Sequence, residues 1–237
     1  MEISIIIPCK DEEKRIIKSL NKIYSFLETD FDFEIIVVND GSTDKTKEVV
    51  NEFIKSHPLC KIITHETNYG KGKAVDTGIT NSTKQFILFS DADLSTPIEE
   101  LEKFSKYTRG YDIIIGSRKM KGSKILVQQP WYRRIPGQAF PLIVNLLGIS
   151  KLKDTQCGFK LFKKETAIEL FKKRTIDRFS FDAEIMYIAE KNKYKIKELP
   201  VVWENSLDSK LNAISDSYKM FKELIQIKIN DFKGAYK

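Results

Sequence analysis

The chain opens with short apolar runs that alternate with segments in which apolar residues recur at helical spacing. The runs predict four buried strands: Ile3–Ile7, Glu34–Val38, Lys61–His65 and Phe86–Ser90. The intervening segments predict three helices, over Ile16–Leu27, Val49–Ile54 and about 74–82. Strands that alternate with helices favour a mostly parallel sheet that helices cover on both faces. We therefore expect an α/β fold.

Polar residues follow each of the four predicted strands. The clusters are Pro8–Glu12, Asp40–Ser42, Asn68–Lys73 and Asp91–Asp93. In a doubly wound sheet the carboxyl ends of these strands share one edge, where such folds bind ligands. We expect a functional site there, and we place Asp11 and Glu12 at the start of the following helix, where acids are favourable.

The fourth cluster contains two carboxylates one residue apart, Asp91 and Asp93. Carboxylate oxygens at a strand end suit Mg²⁺ or Mn²⁺ bridging to a diphosphate. The Asp-x-Asp pattern alone is common, and the chain repeats it at Asp30-Phe-Asp32 without a preceding strand. We interpret that second copy as a solvated loop, so context selects Asp91 and Asp93 as the site.

Two familiar nucleotide-binding motifs are absent from these clusters. The segment Pro8–Glu12 has no glycine and carries acids that would repel a pyrophosphate, which excludes a dinucleotide fingerprint. The segment Gly70–Ala74 lacks the spacing and the hydroxyl of a P-loop. The sequence thus predicts neither a dehydrogenase nor a P-loop NTPase.

Positive charge is concentrated in one stretch. The net charge is +7, and the segment Ile113–Lys153 holds eight basic residues and no acidic one. The rest of the chain has 32 basic and 33 acidic residues. Such a block indicates an anionic partner, either nucleic acid, a phospholipid surface or a phosphorylated substrate, and no nucleic-acid module is recognisable.

The second half has a less regular pattern. We predict strands over Tyr111–Gly116 and Lys195–Trp203 and an amphipathic helix over Ala213–Asn230. The apolar run Ala139–Ile149 follows aromatic and basic residues and is too short to span a bilayer. It fits either a membrane-interface helix or a core helix, and the amphipathic helix has the same two interpretations.

The start of the chain lacks the basic region of a signal peptide, and no run is long enough for a transmembrane helix. The three cysteines are widely spaced, without metal-type pairing. We therefore expect a cytoplasmic, reduced protein whose membrane contact is peripheral.

Several motifs resemble the inverting family 2 glycosyltransferases of the GT-A fold. They are Ile5–Glu13, Val37–Asp44, Asn68–Gly72, Asp91–Asp93 and Gly116–Arg118. Three later segments resemble the dolichyl-phosphate β-glucosyltransferase branch, which is related to the dolichyl-phosphate mannose synthases. These are Asp154–Phe162, Phe181–Glu184 and Trp203–Leu211.

The resemblance implies a sugar-nucleotide donor, UDP-glucose, and a polyprenyl phosphate acceptor of the dolichyl type. It assigns donor contacts to Pro8, Glu12, Asp40, Gly41, Ser42, Lys71, Asp91, Ala92 and Asp93. Asp93, with Asp91 beside it, would hold Mg²⁺ or Mn²⁺. Arg118, Arg133, Arg134 and Lys210 match basic positions near phosphates, and Arg118 would also add a bidentate contact to the departing diphosphate.

The resemblance also implies one domain, residues 1–237. Residues 1–116 would be the nucleotide-sugar half and 117–237 the acceptor half, with an interfacial segment at 131–150 and a C-terminal helix at 213–230. An acceptor phosphate is already ionised and needs no general base. A saccharide hydroxyl would need one, and Asp182 or Glu184 are the candidates, against an ion-pair or surface role for both.

Three alternatives to the glucosyltransferase remain open. A mannose synthase would release GDP from GDP-mannose. A family 2 enzyme that acts on a saccharide hydroxyl would work without lipid phosphate. An inactive nucleotide-binding membrane adaptor would turn over no sugar nucleotide, although the intact Asp91 and Asp93 pair argues against it.

Overall fold

The computed structural model describes residues 1–127, 131–204 and 213–236, without the side chains of residues 131–138 and 213–217. The strands are β1 Glu2–Cys9, β2 Asp32–Asp40, β3 Cys60–His65, β4 Phe86–Ser90, β5 Ile113–Ser117, β6 Lys124–Val127, β7 Phe159–Lys163, β8 Ile196–Pro200 and β9 Val202–Glu204. The helices are α1 Ile16–Leu27, α2 Thr46–Ser56, α3 Lys71–Thr80, α4 Glu100–Ser105, α5 Trp131–Leu146, α6 Lys164–Lys172, α7 Phe181–Lys191 and α8 Ala213–Phe232.

Seven of these strands form one sheet in the order β3-β2-β1-β4-β7-β5-β8. The strands β1 to β4 run parallel to one another, and β5 is parallel to β8. The strand β7 is antiparallel to both of its neighbours, β4 and β5. The carboxyl ends of the first four strands therefore lie on one edge, as the sequence predicts.

Helices cover both faces of the sheet, because consecutive strand residues point to opposite sides. In β1, Ile5 and Ile7 belong to a core cluster that includes residues of α1, α2 and α4. Ile6 belongs to the cluster on the other face, with residues of α3, α5, α6, α7 and α8. All three isoleucines are fully buried, which explains why β1 reads as a continuous apolar run.

The α/β, mostly parallel prediction is confirmed, but β7 was not predicted. It lies beside β4, in the middle of the sheet, and it places Lys160 in a buried position where a lysine is rare. The predicted strand over Lys195–Trp203 is two strands, β8 and β9, and β9 pairs with β6 in a separate two-stranded sheet.

The expected position of Asp11 and Glu12 at the start of α1 is wrong, because the helix begins at Ile16. Asp11 has a backbone φ of +54°, a left-handed conformation that a helix cannot continue. The interpretation of Asp30-Phe-Asp32 as a loop is also partly wrong, since Asp32 is the first residue of β2. Its carboxylate pairs with Lys84, on the surface.

The two helices with open interpretations, α5 and α8, pack against each other. Each has buried residues in the core, Val144 on α5 and Leu224 and Ile227 on α8. Each also exposes large apolar side chains: Leu142, Leu146, Phe221, Ile225, Ile229 and Phe232. Both helices thus have a core face and an exposed apolar face. Within the described parts of the chain, no helix is long and apolar enough to cross a membrane.

Candidate active site

A pocket of about 410 Å³ opens at the carboxyl edge of the sheet. Its lining includes seven residues predicted for donor binding: Pro8, Glu12, Asp40, Lys71, Asp91, Ala92 and Asp93. It also includes Cys9, Lys10, Asp11, Arg15, Asn68, Gly70, Ala74, Arg178 and Phe179. The polar ends of β1, β2 and β4 and the start of α3 therefore meet in one cavity, as the strand pattern predicts.

The loop after β1 is tied to the loop after β2 by hydrogen bonds. The backbone N–H of Asp11 donates to Oγ of Ser42 at 2.8 Å, and that of Glu12 donates to Oγ1 of Thr46 at 2.7 Å. The Asp11 carboxylate in turn accepts from the backbone of Thr43 at 2.7 Å. Ser42 thus supports the loop that carries Asp11 and Glu12, and neither Ser42 nor its neighbour Gly41 lines the pocket.

Asp40 organises the loop between β3 and α3. Its buried carboxylate accepts hydrogen bonds from the backbone N–H groups of Tyr69 at 3.0 Å and Gly70 at 2.8 Å. His65 lies 2.8 Å from the same carboxylate. Most of the hydrogen-bonding capacity of Asp40 is therefore used inside the protein, and these bonds fix its carboxylate in place.

Gly70 explains how a distant loop closes the pocket. Its φ is +108°, and a Cβ at this position would lie 2.5 Å from the carbonyl oxygen of Asp177 and 3.2 Å from Cγ of Arg178. That carbonyl accepts from the N–H of Gly72 at 2.7 Å. Only glycine combines this conformation with such a close approach. The contact brings Arg178 and Phe179 to the rim of the pocket.

Arg178, Phe179 and Arg15 were not predicted as site residues. Arg15 forms a two-pronged ion pair with the Glu12 carboxylate, with Nη2 at 2.7 Å from Oε1. The turn that precedes α1 creates this pair, and spacing alone does not reveal it. For Arg178 and Phe179 the only available signal was their position directly before Phe181–Glu184.

Asp91 and Asp93 lie at the end of β4, and both face the pocket. Oδ1 of Asp91 is 2.6 Å from Nζ of Lys71, the first residue of α3. Oδ1 of Asp93 accepts the N–H of Ser95 at 3.0 Å. Burial, together with the neighbouring Asp91 charge, raises the pKa of Asp93 above its usual value.

This arrangement fits a divalent cation. Two carboxylates whose charges repel each other in a partly buried site would both be stabilised by a bound cation. The described residues contain no group of three or more metal-binding side chains, so the remaining ligands would come from elsewhere. Mg²⁺ keeps several water or phosphate ligands and is often held by one or two carboxylates.

Asp182 lies outside the pocket lining, at the start of α7. Its buried carboxylate forms an ion pair with Lys160 of β7, whose ammonium also donates to the Cys157 carbonyl at 2.6 Å. Burial raises the pKa of Asp182, against the opposing charges of Lys160 and Lys71. Of the two interpretations of Asp182, the geometry favours the ion pair.

Glu184 is fully buried, so its interpretation as a surface charge is wrong. Its carboxylate accepts from the backbone N–H groups of Thr175 at 3.0 Å and Ile176 at 2.9 Å. The Tyr236 hydroxyl donates to it at 2.6 Å. Glu184 therefore holds the segment before Arg178 and the end of the chain against α7.

Arg118, the residue after β5, is engaged with Asp154. Its Nε and Nη2 lie 2.7 and 2.8 Å from the two carboxylate oxygens, and Asp154 is buried. The guanidinium, outweighing burial, holds the pKa of Asp154 below its usual value. Arg118 does not line the pocket. The side chains of Arg133 and Arg134 and the whole of Lys210 lie outside the described residues.

Comparison with known proteins agrees with this geometry. The family model described as glycosyl transferase family 2 matches residues 4–171. The dolichyl-phosphate beta-glucosyltransferase ALG5C of Trichomonas vaginalis is 36% identical over 95% of this chain and 70% of its own length. The human dolichyl-phosphate beta-glucosyltransferase is 33% identical over 100% of this chain and 78% of its own length.

Solved structures share the fold at low sequence identity. Glucosyl-3-phosphoglycerate synthase of M. tuberculosis superposes with a TM-score of 0.69 at 16% identity, covering 97% of this chain and 80% of that one. TarS of S. aureus gives 0.59 at 18% identity, covering 96% and 71%. The first of these has also been solved with Mn²⁺, UDP and its glucosylated product. From the family match and its relatives, this chain belongs to glycosyl transferase family 2, in the group of the dolichyl-phosphate beta-glucosyltransferases.

Proposed function

We propose that the protein transfers glucose from UDP-glucose to a polyprenyl phosphate of the dolichyl type at a membrane surface. The observation that carries this proposal is the pocket, where Asp91 and Asp93 face residues from β1, β2 and α3. Relatives more than 30% identical over nearly the whole chain bear the name of that activity.

The donor would occupy the pocket with its uridine toward β1 and β2. Pro8, Glu12 and Asp40 line that side, and the Ser42 hydroxyl supports it. The diphosphate would lie toward Asp91, Ala92 and Asp93. Lys71 and Arg178 provide positive charge on the same wall, and phosphate oxygens favour such partners.

A divalent cation, Mg²⁺ or Mn²⁺, would be held by Asp93 with Asp91 beside it, and would stabilise the negative charge of the departing diphosphate. The side chains of the protein would bind and orient the other groups of the donor. Burial alone would lower the pKa of Lys71, but Asp91 and Asp182 raise it, so the ammonium stays charged beside the leaving group.

In the transfer, the bond between the anomeric carbon and the diphosphate oxygen breaks, and UDP leaves with the electron pair. An oxygen of the acceptor phosphate forms the new bond from the opposite face, so an α-linked donor gives a β-linked product. Because a phosphate monoester is ionised at neutral pH, no proton has to be removed. This agrees with the ion pair between Asp182 and Lys160 and with the hydrogen bonds that Glu184 accepts from Thr175, Ile176 and Tyr236.

The acceptor phosphate would be held by basic residues of the acid-free segment and by one lysine nearer the carboxyl end of the sequence. The proposed set is Arg118, Arg133, Arg134 and Lys210. Arg118 would act from its ion pair with Asp154, with the rest of its guanidinium directed to the phosphate. Residues 1–116 would then supply most of the donor site, completed by Arg178 and Phe179, and the rest of residues 117–237 would serve the acceptor.

The exposed apolar faces of α5 and α8 are the proposed contact with the lipid bilayer. On α8, Phe221, Ile225, Ile229 and Phe232 form a stripe at helical spacing that faces away from the core. Lysines 219, 222, 228 and 233 belong to the same helix and its end, which suits an anionic lipid surface. We place this contact on the cytoplasmic face of the membrane, where the three free cysteines would stay reduced.

The test is an assay of purified protein with Mn²⁺, dolichyl phosphate and separate sugar nucleotides. We expect nucleotide release and lipid-linked sugar with UDP-glucose, and little with GDP-mannose. Preference for GDP-mannose would support the mannose synthase instead. Failure to turn over any sugar nucleotide would overturn the proposal in favour of a non-catalytic adaptor.

A further inference from the structure

We propose that Gly158 is a positioning residue for Asp91, and that the missing side chain at 158 sets the direction of this carboxylate. The inference rests on the donor role given to Asp91 in the proposed function. Gly158 lies directly before β7, which pairs antiparallel with β4 so that Ser90 is opposite Phe159. Asp91 therefore follows Ser90 into the space beside Gly158.

The contact between the two residues is unusually close. The backbone N–H of Asp91 donates to the Gly158 carbonyl at 3.2 Å, which fixes the end of β4 against the start of β7. A Cβ at residue 158 would lie 2.6 Å from Oδ1 of Asp91, and closer still to its Cγ and Oδ2. The carboxylate thus occupies the volume that any other amino acid at 158 would need.

The nearest neighbours of that Cβ are all atoms of one flexible carboxylate, and no backbone atom is among them. An alanine at 158 would therefore leave the backbone in place and force Asp91 to rotate. Rotation would break the 2.6 Å ion pair with Lys71 and turn the carboxylate away from its present place beside Asp93. Gly158 would then affect donor binding through Asp91, without touching the donor itself.

The experiment compares UDP binding in the presence of Mn²⁺ for Gly158→Ala, Asp91→Ala and the double variant, by calorimetry. We expect Gly158→Ala to weaken binding by about tenfold or more, with a melting temperature within a few degrees of the wild type, as for a change that moves one side chain. In the Asp91→Ala background, Gly158→Ala should have no further effect, because the displaced group is gone. Gly110→Ala is the matched control, since a Cβ there meets only the Tyr107 carbonyl at 3.9 Å.

Normal UDP binding by Gly158→Ala would overturn the proposal, as would an equal further loss in the Asp91→Ala background. A crystal structure of Gly158→Ala tests the placement separately. We expect the Asp91 carboxylate to lie more than about 4 Å from Lys71, beyond ion-pair distance, and an intact ion pair would contradict this. Normal binding by Asp91→Ala would overturn the donor role in the proposed function, while the crystal structure would still decide whether Gly158 places the carboxylate.

Discussion

At the scale of single residues, the two copies of Asp-x-Asp show how the surrounding structure gives the same sequence pattern different roles. Asp93 is partly buried at the end of a central strand and lines the pocket. Asp32 is the first residue of β2, at the sheet edge opposite to the one that carries the pocket, and its carboxylate pairs with Lys84 at the surface. Substituting Asp93 and Asp32 separately can therefore distinguish an effect on the site from the effect of losing one negative charge.

We predict that Asp93→Asn lowers Mn²⁺-dependent transfer by about 10²-fold or more, because it removes a proposed cation ligand from the site of the departing charge. Asp32→Asn is the matched control and should keep nearly full activity. Steady-state rates at saturating UDP-glucose are the measurement. Near-normal turnover by Asp93→Asn would exclude the metal-binding role of this carboxylate.

Lys160 gives a second prediction at this scale. Because Lys160→Met leaves the Asp182 carboxylate buried without its partner, we expect the free energy of unfolding to fall by ~3–5 kcal/mol. The double variant Lys160→Met/Asp182→Leu should recover much of that loss, since it removes both charges. Urea unfolding measures the free energy of unfolding of both variants. A double variant no more stable than Lys160→Met would contradict a stabilising ion pair between Lys160 and Asp182.

At the scale of elements, Glu34 connects the strands that carry the pocket. Its carboxylate on β2 accepts from Ser4 of β1 at 2.7 Å, from Lys61 of β3 at 2.9 Å and from Thr83, before β4, at 2.8 Å. Although burial opposes the effect, these donors lower the pKa of Glu34 from 4.5 to about 2.

Because the folded-state pKa is depressed, the charge of Glu34 stabilises the protein above its unfolded pKa. This contribution is lost as the pH falls from about 4.5 to about 2. We expect Glu34→Gln to lower the free energy of unfolding on the order of 1–2 kcal/mol near neutral pH, after allowance for solvent screening, and by less near pH 3. Urea titrations at both pH values test this, with Glu28→Gln, at an exposed site after α1, as control. A difference that grows on acidification would contradict the assignment.

The helices α5 and α8 give the prediction for membrane contact. Leu146 on α5 and Phe232 on α8 are 87% and 94% exposed, so a charge at either costs the fold little. We predict that Leu146→Glu/Phe232→Glu reduces flotation with anionic liposomes, because it places acids on the proposed lipid-facing surface. Leu59→Glu, on the exposed turn between α2 and β3, is the matched control. Equal flotation of all three proteins would contradict the interface.

The elements also show which parts of the fold the sequence reveals. The strands β1 to β4 are apolar because helices cover both faces of the sheet. Their apolar runs, and the polar residues that follow them, can therefore be recognised in the sequence. The apolar pattern of β7 is not recognisable in the sequence because Lys160 interrupts it, and the charge of this lysine is balanced by Asp182, 22 residues away. Arg178 and Phe179 reach the pocket through a contact with Gly70, which no local pattern encodes.

At the scale of the whole molecule, one sheet edge collects the proposed donor residues, and the exposed helices supply the proposed membrane contact. The first four strands of the sheet bring residues that are far apart in sequence into a single pocket. The exposed apolar faces of α5 and α8 lie on helices that pack on one face of that sheet.

The nucleophile in the proposed reaction is a lipid phosphate. The most direct measurement compares polyprenyl phosphate with the corresponding polyprenol as acceptors, under identical conditions with UDP-glucose and Mn²⁺, and analyses the lipid product by mass spectrometry. We predict β-linked glucose on the phosphate and no transfer to the alcohol, because the two candidate general bases, Asp182 and Glu184, are buried carboxylates already held by other residues. Comparable transfer to polyprenol, or to a soluble saccharide hydroxyl, would contradict the account.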